Sequence, residues 1–292
     1  MPADAEPERQ TTPNPAATPV SVIVCARNRA RELTRCLESV LAARPAEVIV
    51  VDGRSTDGTA EIARQYGAIV VSDEGRGLGA ARRLGAELSH EDAVVFIDAD
   101  ASVRPDTLEA LRREADEMGY DALQARLESM PGRLTYWQAG EIWRRRSQER
   151  PGRARVLGCQ ATLIRRDLLL RVGFDPAFQG AAEDHDFFFR ARAAGATFGH
   201  SASAVAYHED RATFREFARQ RFWYGQGMAR FAVRHRAVSG QVGTAAEAIH
   251  REPRHVLFMV VSWSLTALGM ATEFVALAFD RGLRGRLQQG HP

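Results

Sequence analysis

The chain has 292 residues, 45% hydrophobic and 26% charged, with a formal net charge of +2 at pH 7. That length and apolar content allow one large α/β domain or two small ones, and the near-neutral balance gives no ground for a nucleic-acid partner. There is no lysine, and Cys25, Cys36 and Cys159 form no Cys-x-x-Cys pair and are odd in number; with no secretory signal read at the start, a reducing, cytoplasmic compartment is expected.

Residues 1–19 carry five prolines and read as a disordered tail. Apolar runs then predict strands at 20–25, 47–51, 68–71 and 93–97. Between and after them, helices are expected at 31–43, where Leu33, Leu37 and Val40 share a face, and at 56–66, 77–88 and 105–117. This alternation predicts an α/β fold with a mostly parallel sheet flanked by helices, its ligands beyond the strands' carboxyl ends. Further on, strands are expected at 121–129 and 156–164, separated by an arginine-rich stretch at 143–155. A helix should begin near Glu183, and a strand should return at 197–207. Residues 211–236 mix arginine with aromatics, which suits either a membrane surface or a helix closing a site. Residues 256–279 are apolar except for Glu273, long enough to cross about 30 Å of hydrocarbon. The same stretch could lie in the interface or pack as a buried or dimer-forming helix. The expected organisation is a catalytic unit at 20–210 (a nucleotide half at 20–101 and an acceptor half at 102–210), a basic aromatic segment at 211–252, and an apolar, membrane-associated helix and tail at 253–292.

The chemistry concentrates at strand ends. Asp98-Ala99-Asp100 follows the fourth strand, where two carboxylates one residue apart can share a divalent cation and a nucleotide diphosphate. Ala26-Arg27-Asn28 and Asp52 end the first two strands, positioned to meet a base or ribose, while Asp57 reads as a helix cap. Arg76, Gly79 and Arg82 lie around a glycine-rich helix start, which suits either a diphosphate or a solvated basic turn. Glu183 and Asp184 open an apolar helix, where they can serve as acid–base groups or merely complement its N-terminus.

In this order, Asn28, then Asp52 with Ser55, Asp57 and Thr59, then Gly79 with Ala81-Arg82, then Asp98-Ala99-Asp100, the chain resembles family 2 inverting glycosyltransferases of the GT-A fold. The resemblance covers roughly residues 20–210, with Gly53-Arg54 and Arg83 departing from the commoner pattern near the donor. It implies metal-dependent transfer of one sugar from a nucleoside diphosphate sugar, UDP- or GDP-linked, to an acceptor hydroxyl, with a lipid-linked acceptor compatible with the apolar C-terminus. Mn²⁺ or Mg²⁺ would sit on Asp98, Asp100 and His208; Asp184 would be the base, with Glu183, Gly158 and Gln160 on the acceptor side. Ala26, Arg27, Asn28, Asp52, Arg76, Gly79, Arg82, Asp98 and Ala99 would hold the nucleotide sugar. His185 and His200 are expected to be structural or exposed. Gln220-Arg221-Phe222-Trp223 lacks the Gln-x-x-Arg-Trp spacing of processive synthases, so a single transfer is expected. The rival readings are a nucleotidyltransferase on a related fold and a catalytically silent, membrane-associated nucleotide-sugar-binding module. Attachment at the inner face of the cell membrane is the expected location.

Overall fold

A computed structural model describes residues 17–178, 180–236 and 255–289. Most of the expected tail, residues 1–16, lies outside these, and the first strand already takes in Thr18 and Pro19. The first half alternates strand and helix: β1 (Thr18–Ala26), α1 (Ala30–Ala42), β2 (Pro45–Asp52), α2 (Thr59–Gln65), β3 (Ile69–Ser72), α3 (Leu78–Leu88) and β4 (Ala93–Phe96). These strands pair in parallel in the order β3-β2-β1-β4. Their runs are continuously apolar because both faces are covered. Val22, Val24, Val50 and Val95 pack against Leu33, Leu37 and Val40 of α1. Ile23, Ile49, Val94 and Phe96 face the other way, toward Ala81, Phe187 and Phe188.

The second half is mixed rather than parallel. It comprises β5 (Ala101–Val103), α4 (Thr107–Met118), β6 (Ala122–Ser129), α5 (Tyr136–Gln148), β7 (Gly152–Ala154), β8 (Thr162–Arg165), α6 (Arg166–Val172), α7 (Glu183–Ala193) and β9 (Phe198–His208). β8 joins the parallel half by pairing antiparallel to β4, and the sheet continues through β6 and β9 to β5. One expectation is corrected. The strand expected over 156–164 shrinks to β8, because Gly158 to Ala161 form a turn in which the Thr162 hydroxyl donates to the Gly158 carbonyl at 2.7 Å. The arginine-rich stretch that precedes it supplies the end of α5, a helix started by a Thr135–Gln138 capping box, and the short strand β7.

Two long helices close the chain, α8 (Phe214–His235) and α9 (Val256–Gln289). They cross on glycine. A Cβ on Gly225 would run into the Thr266 carbonyl, and one on Gly269 into that of Phe222, so the backbones touch. The other side of α8 is equally close to the loop before α7, where a Cβ on Gly227 would strike the Ala181 carbonyl. Phe217 of α8 and Phe258 of α9 pack with Trp137 of α5, and Glu273 pairs with Arg230 at 2.7 Å. The remaining face of α9 exposes Leu257, Val260, Trp263, Leu268, Val275 and Phe279. Among the described residues, Val256–Phe279 is the one helical stretch long and apolar enough to cross a membrane, by length and composition.

Candidate active site

The turn after β4 brings three ligand-type side chains together. The chain reverses at Ala99, with the Ala101 amide donating to the Asp98 carbonyl at 2.9 Å. β5 then pairs with the end of β9, opposing Ala101 to His208. One potential ligand atom from each of Asp98, Asp100 and His208 lies within 4.8 Å of the others. His208 reaches Asp100 through Nε2 and Asp210 through Nδ1, each at 3.4 Å. Asp210, not singled out from sequence, is in turn gripped by Arg145 at 2.5 and 2.7 Å and bonded by the Ser129 hydroxyl. A carboxylate behind the imidazole fixes ring orientation, as behind a metal-ligating histidine. Burial alone would lower the His208 pKa, but its bonds to Asp100 and Asp210 outweigh this and lift it to about 9. Burial and the neighbouring Asp100 raise Asp98, with Arg82 opposing. Asp100 is held well below the usual carboxylate range, its burial outweighed by His208, Arg211 and Arg29. Two carboxylates crowded with one imidazole form an oxygen-rich donor set that fits Mn²⁺, and Mg²⁺ less well because of the nitrogen.

The carboxylate pair of α7 lies close by. Ala182, with φ 72°, turns the chain in the left-handed region immediately before the helix. The side chain of Glu183 is 4% exposed and that of Asp184 is 18%, so Asp184 is the one open to solvent. Glu183 is ion-paired with Arg82, which also reaches Asp98 at 3.4 Å. Arg82 therefore links the two acidic pairs from a buried position over the adjoining rings of Phe96 and Phe174, 5.9 Å from each centroid. Burial and the charge of Asp184 push Glu183 up to about 8 despite Arg82. Burial would raise Asp184 too, but the hydrogen bonds and charge of His185, with Arg82, hold it at about 2. The His185 Nδ1 lies 3.1 Å from Asp184 Oδ1, so His185 is a direct partner of that carboxylate. The helix itself is anchored through Asp186, fully buried, which meets His235 of α8 at 2.7 Å and Arg190 at 2.9 Å.

On the other side of the cleft, strand register sets Ala26 beside Asp52 and Asp52 beside Ser72. Asp52 Oδ2 accepts from the Ser55 amide at 3.1 Å, while its Oδ1 is buried without a partner in the protein. A buried acceptor of this kind fits an N–H or hydroxyl of a ligand. Asn28 Oδ1 accepts from the Thr56 amide at 2.9 Å and Asp57 from the amides of Ala30 and Thr59, so these two side chains bind the first two loops together. Arg27 and Arg76 are exposed and Ala99 is buried.

In the glycine-rich loop, Asp73, buried and unremarked in the sequence, accepts from the amides of Gly75 at 2.8 Å and Gly77 at 3.0 Å, ahead of the first turn of α3. Gly79 faces the carbonyls of Asp175 and Phe178, so a side chain there would crowd them. Across the sheet, Gln124 holds the turn of the acceptor side, meeting the Gln160 carbonyl at 3.2 Å and the Gly158 amide at 3.4 Å.

Comparison with known proteins places this geometry. A profile of Glycosyl transferase family 2 matches residues 21–173, more than half of the chain. The chain is 29% identical over 225 residues to the glycosyltransferase AglE of Haloferax volcanii, covering 71% of this chain and 72% of that one. It is 37% identical over 121 residues to an uncharacterized glycosyltransferase of Mycobacterium tuberculosis, covering 39% and 55%. Among solved structures, the mannosyltransferase PcManGT of Pyrobaculum calidifontis, in complex with GDP-Man and Mn²⁺, superposes with a TM-score of 0.58 at 20% identity, covering 94% of this chain and 83% of that one. Residues 1–349 of S. aureus TarS, in complex with UDP-GlcNAc, give 0.56 at 22% identity, covering 82% and 73%. The structural likeness carries the fold and the profile match carries the membership: this chain is a glycosyltransferase of family 2, built on the GT-A fold.

Proposed function

We propose that the protein transfers one sugar, with inversion, from a UDP- or GDP-linked donor to an acceptor hydroxyl, with Asp184 as the proton acceptor. The observation that carries this is the split between two adjacent carboxyls. Asp184 is ionised and open, whereas Glu183 is buried and raised to about 8. Environments that push two neighbouring carboxyls apart mark distinct acid–base roles. The acceptor oxygen attacks the anomeric carbon from the face opposite the diphosphate. The carbon–oxygen bond to the diphosphate breaks with its electron pair going to the phosphate oxygen, and the hydroxyl proton passes to Asp184. Glu183 Oε2, buried and without a partner in the protein, would take a hydrogen bond from a sugar or acceptor hydroxyl. Asp52 would receive the base or ribose through its unpaired Oδ1. Asp98, Asp100 and His208 would hold Mn²⁺ or Mg²⁺, which screens diphosphate charge and stabilises its departure.

The exposed apolar face of α9 suits attachment to a lipid surface, which supports a membrane-associated acceptor. Because α9 lies along α8 in backbone contact, we favour attachment in the plane of that surface over crossing it. The reaction class is tested by calorimetric titration of UDP and GDP with Mn²⁺, Mg²⁺ or EDTA. Binding of one nucleotide that requires metal and disappears in Asp100→Ala is expected. Equal binding with EDTA, or none under any condition, would refute the reading.

A further inference from the structure

Between α5, α8 and the turn at Gln160 lies a cavity beside His208 that the reaction as proposed leaves unused. Four guanidinium groups line it, from Arg144, Arg145, Arg211 and Arg221, against the carboxylates of Glu141, Glu149 and Asp210. Arg211 is also paired with Asp100 at 3.2 Å, so the four guanidinium groups face four carboxylates. Arg145 and Arg221 are 6% and 7% exposed, and in each the Nε–H is buried with no acceptor in the protein. Buried N–H groups in native proteins are nearly always paired, so two in one cavity call for a ligand that accepts.

Both side chains are held ready. Arg221 is fixed by an ion pair to Glu141 and by the rings of Phe217 and Tyr224, at 5.2 and 5.3 Å. Arg145 is fixed by its two bonds to Asp210. A rigid guanidinium with an unused donor edge suits a phosphate oxygen. The cavity is bordered by Gln160, His208 and Asp210, while Asn28, Asp52 and Asp73 take no part in its lining. It therefore opens on the acceptor side of the carboxylate cluster, away from the nucleotide loops. From this we infer that the cavity binds a phosphate carried by the acceptor, so that the hydroxyl to be glycosylated belongs to a phosphorylated compound. This assignment rests on the transferase reading above.

The test uses the full chain with calorimetry. UDP and GDP with Mn²⁺ are titrated first; if neither binds, the transferase reading fails on its own terms and the acceptor assignment falls with it. Inorganic phosphate, glycerol 1-phosphate and decyl phosphate are then titrated at saturating nucleotide. One phosphate per chain is expected, bound beside the nucleotide. Arg221→Lys, which keeps the charge and removes the Nε–H, and Arg144→Gln, at the half-buried rim, should each weaken binding about tenfold without changing nucleotide affinity. Should Arg221→Lys fail to fold, Arg144→Gln carries the test. Tighter binding of decyl phosphate than of glycerol 1-phosphate would assign a lipid phosphate, and equal binding a soluble one. Phosphate that is displaced by nucleotide, that binds both variants as well as the wild type, or that does not bind beside nucleotide would overturn the inference.

Discussion

Arg82 is the buried cation between the two acidic pairs, and its direct ion pair with Glu183 makes that carboxyl the one most affected by its replacement. Arg82→Met keeps the contact with Phe96 and Phe174 while removing the charge. At pH 6 the Glu183 carboxyl, raised to about 8, is protonated in the folded wild type. The loss is then mainly that of one charge-assisted hydrogen bond, about 1–3 kcal/mol. At pH 9 the carboxyl is ionised beside Arg82, and removing one partner of a buried pair costs about 3–5 kcal/mol. For a chain of this size that corresponds to a fall in Tm of roughly 6–15 °C. The sign is set by linkage: folded Glu183 keeps a proton that the unfolded chain loses above its ordinary 4.5, so its contribution to stability falls as pH climbs through about 8. Scanning calorimetry at both pH values, for wild type and variant, reads the difference directly. A shift in Tm that is larger at pH 6 than at pH 9, or smaller than roughly 2 °C at both, would refute the reasoning.

Three further outcomes are expected. Asp184→Asn should lower transfer by about 10²–10⁴-fold, the range for a lost general base, while donor affinity stays within about twofold; unchanged turnover would remove Asp184 from that role. Asp210→Asn should weaken Mn²⁺ binding by about 10–100-fold, because His208 loses the carboxylate that orients it; Mn²⁺ titration followed by electron paramagnetic resonance measures this. Gly225→Ala should destabilise the protein by about 1–3 kcal/mol in denaturant unfolding, because the added methyl must push α8 off the Thr266 carbonyl.

The parallel half of the fold and its strand-end acids were legible because each signal is local. At β2 and β4 an apolar run leads into a carboxylate, Asp52 and Asp98, on either side of β1 in the sheet. The mixed half was harder to read. The Thr135–Gln138 capping box marks the start of α5, but the helix buries Glu141 and Arg145 rather than an apolar stripe, so its hydrophobic period is weak. Asp73 and Asp210 escaped notice although Asp73 takes amides two and four residues on and Asp210 lies two residues from His208; only the grip of Arg145 on Asp210, across 65 residues, had no local signal. His185 was expected to be structural or exposed, and its adjacency to Asp184 on the first turn of α7 puts the two side chains within reach. Arg82 was anticipated near a diphosphate; its pairing with Glu183 spans 101 residues and follows only from how α3 and α7 pack.

The glycines of α8 have a mechanical consequence. Gly225 meets α9 and Gly227 meets the peptide at Ala181, two residues before Glu183. α8 is thus wedged between the C-terminal helix and the hinge from which the carboxylate pair hangs, with no side chain to absorb a displacement at either contact. A shortened protein lacking α9 would not simply be more soluble; it would strip one jaw from the clamp beside Glu183 and the proposed proton acceptor, Asp184. Adaptation of the C-terminal helix to a new surface and adaptation of turnover to a new substrate would be forced to proceed together.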